Sequence, residues 1–533
     1  MNIMRSYPLQ KCLTSLITLG VCVTSFLPLH AQEVDVTQFP NRAYAGIKKS
    51  LSEQIGTSRG DVLTPDSSLY LINRDPFRAI ARGRQLFQRK FSVEQGLGPR
   101  LRDEFGDIEA KEALAAGLAD SCAGCHGRPR GSAGVGGNVF TRPDSRDAPH
   151  LFGLGVVEML ADEITADLRA QRDQALLQAE GSGKSVSLSL TSKNIHYGRL
   201  TAFPDGRVDI SALEGIDPDL RVKPFFAEGS VFSIREFIVG ALQVEMGLQS
   251  PDPDILAAHQ GARVVTPSGM VLDGGLDPVE VPLVQSESED GDGDGVTNEM
   301  DVALIDYLEF YLLNYFRPGT YQQTNSARLG RKLMEDIGCT TCHKPDFVLE
   351  HDRRVADVET TYDAEKGIFN HLFATATPQF VEVDDHSGHP TVKQPAGTAF
   401  TVRDIFTDFK RHDLGAYFAE RNFDGSRSRE FMTEPLWGVG STEPYGHDGR
   451  SITLRDVILR HGGEAQHARD AFAALSEVRQ EWIIEFLQSL ILFGPPDTAS
   501  NLDPGDPNHA DFPQSAHGSI NLQVLFNDPN DPE

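Results

Sequence analysis

Apolar residues return at helical intervals in several separate stretches, and each predicts an amphipathic helix: Ala79 to Phe91, Glu109 to Leu118, Ser233 to Met246 with Gly247 as its stop, and Ala327 to Ile337. Val302 to Phe316 predicts another, and its shortness together with Asp306 and Glu309 argues against a membrane span. A longer periodic run, Ala468 to Phe493, reads as a closing helix. Between Lys193 and Pro224 the period shortens to alternation about Pro204-Asp205-Gly206, which predicts a small β-hairpin. Pro345 to Ala399 is long and polar and reads as loop, with His351, His371, His386 and His389 exposed on it, since they lack a paired metal spacing. From Pro495 onward the Asp, Pro and Asn content predicts a loosely ordered tail. The pattern as a whole predicts a mainly α protein with a small hairpin insertion and long loops.

At 533 residues the chain is long enough for two or three domains. Met1 to Ala31 reads as an export signal: Arg5 and Lys11 are basic, Leu13 to Leu29 is mostly apolar, and Ala31 offers a small residue before Gln32. Cys22 raises a lipoprotein reading, which Val21 before it fits poorly. Lys plus Arg number 49 against 77 Asp plus Glu, a formal charge of -28. That balance argues against nucleic acid and anionic lipid, and it suits either a basic or dipolar redox partner or simple solubility.

Of the six cysteines, two leave with the signal, and the other four fall in two runs of one kind, Cys122-Ala-Gly-Cys125-His126 and Cys339-Thr-Thr-Cys342-His343. In Cys-x-x-Cys-His both thiols can form thioethers to haem vinyl groups while the next imidazole binds the iron, so each copy predicts one covalent haem c. A structural zinc or a redox dithiol would use Cys-x-x-Cys without needing His next in both copies. Haem c and an export signal agree on a bacterial periplasm or cell surface.

Other residues carry candidate chemistry with a plainer reading beside it. Glu245, near the end of its helix, would shuttle a proton if it stood by an open iron; by itself it reads as a surface carboxylate. Asp290, Asp292, Asp294, Asn298 and Asp301 surround Gly295 as calcium ligands do, with Asp in place of the usual last Glu, and the alternative is a solvated acidic turn. Arg128 and Arg130, in the Gly-rich run after the first motif, could meet a propionate or lie in a solvated loop.

Farther on, the run Pro444-Tyr-Gly-His447-Asp-Gly-Arg450 is followed by Thr453-Leu454 and His461-Gly-Gly-Glu464-Ala465, with His412-Asp-Leu-Gly415 and Pro435-Leu-Trp-Gly438 upstream. These residues resemble the bacterial di-haem oxidoreductase family, also called thiol oxidoreductases. That family is similar to the di-haem cytochrome c peroxidases and to the di-haem enzyme that matures the tryptophan tryptophylquinone cofactor. Gly96-Leu-Gly-Pro99, Gly153-Leu-Gly155 and Ile195-His-Tyr-Gly198 extend the resemblance upstream, so that it covers about Ala79 to Phe493. It implies two cytochrome c-like haem domains, the first handling peroxide and the second storing an electron. The peroxidases' Met ligand to the second iron corresponds to His461, and their catalytic acid, which precedes a Met, corresponds to Glu245 before Met246. Their distal Gln corresponds to Arg235, or to Phe237 when Ser-Ile-Arg-Glu is aligned, and their inter-haem Trp is missing from Phe225 to Glu228. His150 follows the first motif where related proteins sometimes bring a second imidazole, with a surface His as the alternative. Trp437 reads either as a relay toward the second haem or as a packed indole.

The expected organisation is a signal at 1–31, a first haem domain at 32–318 holding the hairpin (193–224) and the calcium-type loop (290–301), a second at 319–494, and a tail at 495–533. The expected function is a periplasmic peroxidase-like oxidoreductase with two haems c and a structural calcium. It would take electrons from a small redox protein or a quinol-linked donor and pass them to hydrogen peroxide or another small oxidant. A non-enzymatic electron carrier and an oxygenase or protein-modifying oxidase are the alternatives.

Overall fold

Helix Val302–Asn314 is apolar on every side, and a helix with no polar stripe has to be buried. Every residue from Ala303 to Asn314 is indeed covered. Asp301 starts it, its Oδ1 accepting the Ala303 N–H at 2.8 Å. The 29-residue helix Leu154–Ser182 crosses it closely at Gly155, where a Cβ would fall 2.1 Å from the Leu313 carbonyl oxygen. At the other end, Asn314 Oδ1 accepts from Val355 N at 2.9 Å and Ala356 N at 3.0 Å, tying a strand to the helix end. The two carboxylates that argue against a membrane span bind the core together. Arg235, on helix Ile234–Met246, reaches Asp306 at 3.0 Å, Glu309 at 2.8 Å and Asp252 at 2.8 Å, and all four side chains are buried. Breaking a buried cluster of this kind from one side costs about 3–5 kcal/mol.

The chain was analysed as a computed structural model, which describes residues 59–89, 91, 121–127, 132–134, 138–139, 146–282, 284–290, 297–316, 323–362, 372–421 and 426–492. The export segment, the helix predicted at 109–118, Gly96 to Pro99, Arg128, Arg130, Asp292, Asp294, His371 and the tail lie outside these residues. So do the expected boundaries at 31, 318 and 494. No described helix is long and apolar enough to cross a membrane.

Several predicted helices recur, Ile234–Met246 between Ser233 and Gly247 and Asn325–Asp336 close to their predicted bounds, and Pro76–Gln88 three residues earlier than predicted. The closing helix is two helices, Gln466–Ala474 and Glu477–Gln488, separated at Leu475 and Ser476. The mainly α fold class is not what the structure has. Beside eleven α-helices, the described residues hold seventeen short strands in eight small antiparallel sheets, and no pair of cytochrome c-like domains is shown. The hairpin at 193–224 is the latter part of a three-stranded sheet, Val186–Ser192, Ile195–Ala202 and Val208–Leu213. The stretch read as loop carries Phe347–Leu349, Ala356–Tyr362, Leu372–Pro378, Phe380–Val383 and Val392–Pro395. Much of this ribbon is exposed on both faces, so burial imposes no clear two-residue alternation on its sequence. One hydrophobic core takes in residues from Leu71 to Leu492, and a smaller one, around Met334, Phe406, Phe472 and Phe486, lies beside the second cysteine motif.

Candidate functional site

Ser121 caps the short helix Cys122–His126 by accepting the Gly124 N–H at 3.0 Å, which sets the two thiols one helical turn apart. The second motif forms a 3-10 turn, Cys339–Thr341, directly after helix Asn325–Asp336. His126 Nδ1 lies 2.7 Å from the Pro149 carbonyl oxygen, and His343 Nδ1 lies 3.0 Å from that of Phe406. His461 Nδ1 lies 2.7 Å from the Val457 carbonyl oxygen, one turn back along the chain. A carbonyl oxygen only accepts, so each of the three rings donates from Nδ1 and keeps a lone pair on Nε2. A second nitrogen fixed in this way is the usual support of an imidazole that binds a metal.

Both motifs, His461, His150, Glu245 and Trp437 line one cavity of about 1040 Å³. Cavities for one small ligand run to roughly 1,000 Å³, so this one stands at the top of that range. Burial first of all lowers the pKa of His126 and His343, and takes His461 down to about 4. Neutral imidazole is the form that coordinates. Burial also pushes the Cys122 thiol up to about 12 and the Cys339 thiol up to about 11. Neither Cys-x-x-Cys-His run gathers its ligand atoms around one point; among the described residues only Cys342, Asp408 and His412 do so.

Helix Ile234–Met246 brings Glu245 to the cavity wall, near enough to Cys125 that its charge, after burial, raises that thiol's pKa. Phe237 on the same helix also lines the cavity, whereas Arg235 turns away into the buried acidic cluster. Of the two aligned positions, Phe237 is the one that faces the cavity. Trp437 is buried at 4% exposure and donates its indole N–H to the Arg403 carbonyl oxygen at 3.2 Å. Its ring meets Phe152 edge-on at 5.7 Å and lies against Gly153, where a Cβ would stand 2.6 Å from Cζ3. Gly153, at φ 76, is thus required both by its backbone and by the indole. Trp437 is at once a packed indole and part of the cavity wall.

Asp290, Asn298 and Asp301 bracket the calcium-type loop, and Asp301 is engaged as the helix cap described above. His351 and His386 are exposed on the ribbon, as expected, whereas His389 is half-buried, its ring meeting Tyr70 edge-on at 5.6 Å.

Sequence reasoning gave no role to three groups on this cavity. His412 lies 2.9 Å from Asp408 by Nε2 and 2.8 Å from Glu464 by Nδ1, with Cys342 Sγ at 4.0 Å. Burial opposes its charge, but the hydrogen bond to Asp408, aided by Cys342, raises its pKa to about 11. His447 stacks on Phe431 at 3.9 Å and lies 2.8 Å from buried Glu420. Glu434 lines the cavity, its carboxyl pushed up to about 7 by burial and then by the charge of Glu228. His412, His447 and Glu464 stand in motifs quoted above, so spacing pointed to them without showing their partners.

Residues 351–490 match the family described as "Di-haem oxidoreductase, putative peroxidase". The matched segment begins after the second cysteine motif and contains His412, Trp437, His447 and His461. A comparison with curated proteins finds no match. Among solved structures the chain is similar to hydrazine synthase of Kuenenia stuttgartiensis, studied under xenon pressure, at 18% identity and a TM-score of 0.20. That likeness covers 35% of this chain and 55% of the other, so the chain spans about half the length of that structure. It is also similar to a MauG-like protein associated with microbial copper homeostasis, at 14% identity and a TM-score of 0.22, over 54% of this chain and 75% of that one. The family match supports haem as the cofactor and oxidation–reduction as the chemistry. Residues 351–490 are thus similar to the di-haem oxidoreductases, the family that the His-Asp-Gly and His-Gly-Gly-Glu-Ala runs resemble.

Proposed function

We propose that the protein is an exported di-haem c oxidoreductase of peroxidase type. Cys122 and Cys125 would hold one haem and Cys339 and Cys342 the other, with His126 and His343 as the first iron ligands and His461 as the second ligand of the latter. When bound, the haems supply one-electron chemistry at iron. The observation that carries this reading is the set of three imidazoles, each donating Nδ1–H to a backbone carbonyl and keeping Nε2 for a cavity that both cysteine pairs line.

The chain's residues make the two halves of the cavity unequal. His150, next to the Pro149 whose carbonyl holds His126, lines the same cavity. In this reading a Glu245 carboxylate oxygen takes the proton from one oxygen of hydrogen peroxide and returns it to the oxygen that leaves. Phe225, Phe226 and Phe237, packed at 5.3–6.0 Å from ring to ring, keep bulk water from that part of the wall. The acidic surface, at -28, favours a basic or dipolar electron donor.

The test is haem content and turnover in protein made by a host able to attach haem c. The reading predicts two pyridine-haemochrome equivalents per chain and oxidation of a reduced c-type donor by hydrogen peroxide. One equivalent or none would overturn it, and two equivalents with oxygen uptake but no peroxide turnover would favour the oxygenase instead.

A further inference from the structure

The run from His461 to Ala465 and the run from His412 to Gly415 are folded against each other. Gly462 N donates to the Leu414 carbonyl oxygen at 3.0 Å, and a Cβ on Gly463 would fall 2.1 Å from the Asp413 carbonyl oxygen. His412 stands at this join, 5% exposed. Its Nε2 lies 2.9 Å from Asp408 Oδ2 and its Nδ1 lies 2.8 Å from Glu464 Oε2. The backbone holds the other oxygen of each carboxylate: Lys410 N donates to Asp408 Oδ1 at 3.1 Å, and Asp413 N donates to Glu464 Oε1 at 3.0 Å. A carboxylate accepts and does not donate, so a ring with a carboxylate at each nitrogen carries a proton on both. Such a ring has no lone pair left for a metal ion, although Cys342 Sγ is also near, 4.0 Å from Nδ1.

We propose that His412 is a positioning residue of the second site that carries a fixed positive charge: Asp408 and Glu464 hold it as an imidazolium beside the Cys342 attachment point, where it favours the reduced haem. The proposal rests on the di-haem reading above. A cation beside a haem stabilises an added electron, and the attraction is strong where the dielectric is low. It offsets part of the effect of His461, since two imidazoles hold an iron at a lower potential than Met and His do. The step balances: an external one-electron donor reduces the haem, His412 keeps both its protons, and no bond on the ring forms or breaks.

The charge survives attachment of the haem. Burial works against it, and the Asp408 hydrogen bond outweighs burial; Cys342 adds to the effect only as a thiol, while the two carboxylates remain when that sulfur becomes a thioether. Neighbouring cations turn elsewhere. Lys410 Nζ lies 3.2 Å from Glu214, Arg411 pairs with Asp217, and Arg460 Nη1 lies 2.8 Å from Asp448.

The test uses the haem-loaded protein, with a spectroelectrochemical titration of each haem and magnetic resonance of the histidine ring nitrogens after full reduction and addition of carbon monoxide. Both His412 nitrogens should carry protons at neutral pH, their signals being assigned by their loss in His412→Gln; one bare nitrogen on that ring overturns the proposal. His412→Gln, which keeps a polar side chain without the charge, should lower the midpoint of the second haem by about tenfold in its redox equilibrium, or 59 mV for a one-electron couple. Glu464→Gln, which removes a negative charge from a more exposed position, should raise that midpoint by less. Loosened packing would move both variants the same way. Shifts of one sign, or no shift in either variant, with two haems present overturn this proposal alone. Fewer than two haem equivalents overturns the di-haem reading and this proposal with it.

Discussion

At Cys122–His126 the cysteine motif is an α-helical turn capped by Ser121, whereas at Cys339–Thr341 it is a 3-10 turn with no side-chain cap. The first histidine is held from Pro149, 23 residues on, and the second from Phe406, 63 residues on. By the first lies Glu245, whose charge acts on Cys125; by the second lie His461, anchored like the motif histidines, and His412 between its two carboxylates. Two nearly identical pentapeptides thus receive different partners from distant chain. The difference teaches that distant chain decides what stands beside each motif histidine; in the proposed reading one iron would be left open beside a carboxylate and the other closed by a second imidazole.

Replacing the carboxylate is the sharpest way to break this contrast. Glu245→Gln should lower peroxide turnover by about 10²–10⁴-fold while leaving two haem equivalents, because a positioned proton-transfer group contributes on that order. Unchanged turnover with full haem content would remove Glu245 from the reaction.

The support of that carboxylate comes next. Arg235→Ala leaves Asp252, Asp306 and Glu309 buried without their cation and should cost about 3–5 kcal/mol in denaturant unfolding. The loss should fall on helix Ile234–Met246 and its neighbour Val302–Asn314, so hydrogen exchange there should rise more than around Asn325–Asp336. Equal rises in both regions would mean that the cluster does not anchor one side in particular.

The smallest effect concerns the cap that only the first motif has. Ser121→Ala removes the acceptor for Gly124 N–H and should cost about 0.5–2 kcal/mol, read as a lowered midpoint of thermal unfolding with the second haem's spectrum unchanged.

Much of the local structure was legible because its signals are local. Ser233 and Gly247 mark the ends of a helix whose observed span is Ile234–Met246, and the apolar run after Asp301 forms the central helix. The strands Phe380–Val383 and Val392–Pro395 were not legible, because a ribbon largely open to solvent on both faces carries little alternation. The helix Leu154–Ser182 was missed as well: its exposed residues, such as Leu177 at 70%, blur the apolar stripe. At the candidate site the motifs named His412 and Glu464 without a role. The 52-residue separation between those two partners is a product of folding that spacing does not reveal. Arg235 shows the converse case, in which its alignment suggested the cavity and the acidic residues of two other segments turned it into the core.

The claim on which the account turns is that the two sites are unequal, one iron reachable and the other closed by His343 and His461. Carbon monoxide added to the fully reduced, haem-loaded protein measures this directly, since it binds an iron with a free position. The account predicts one carbon monoxide bound per two haems; none bound, or two, would contradict it.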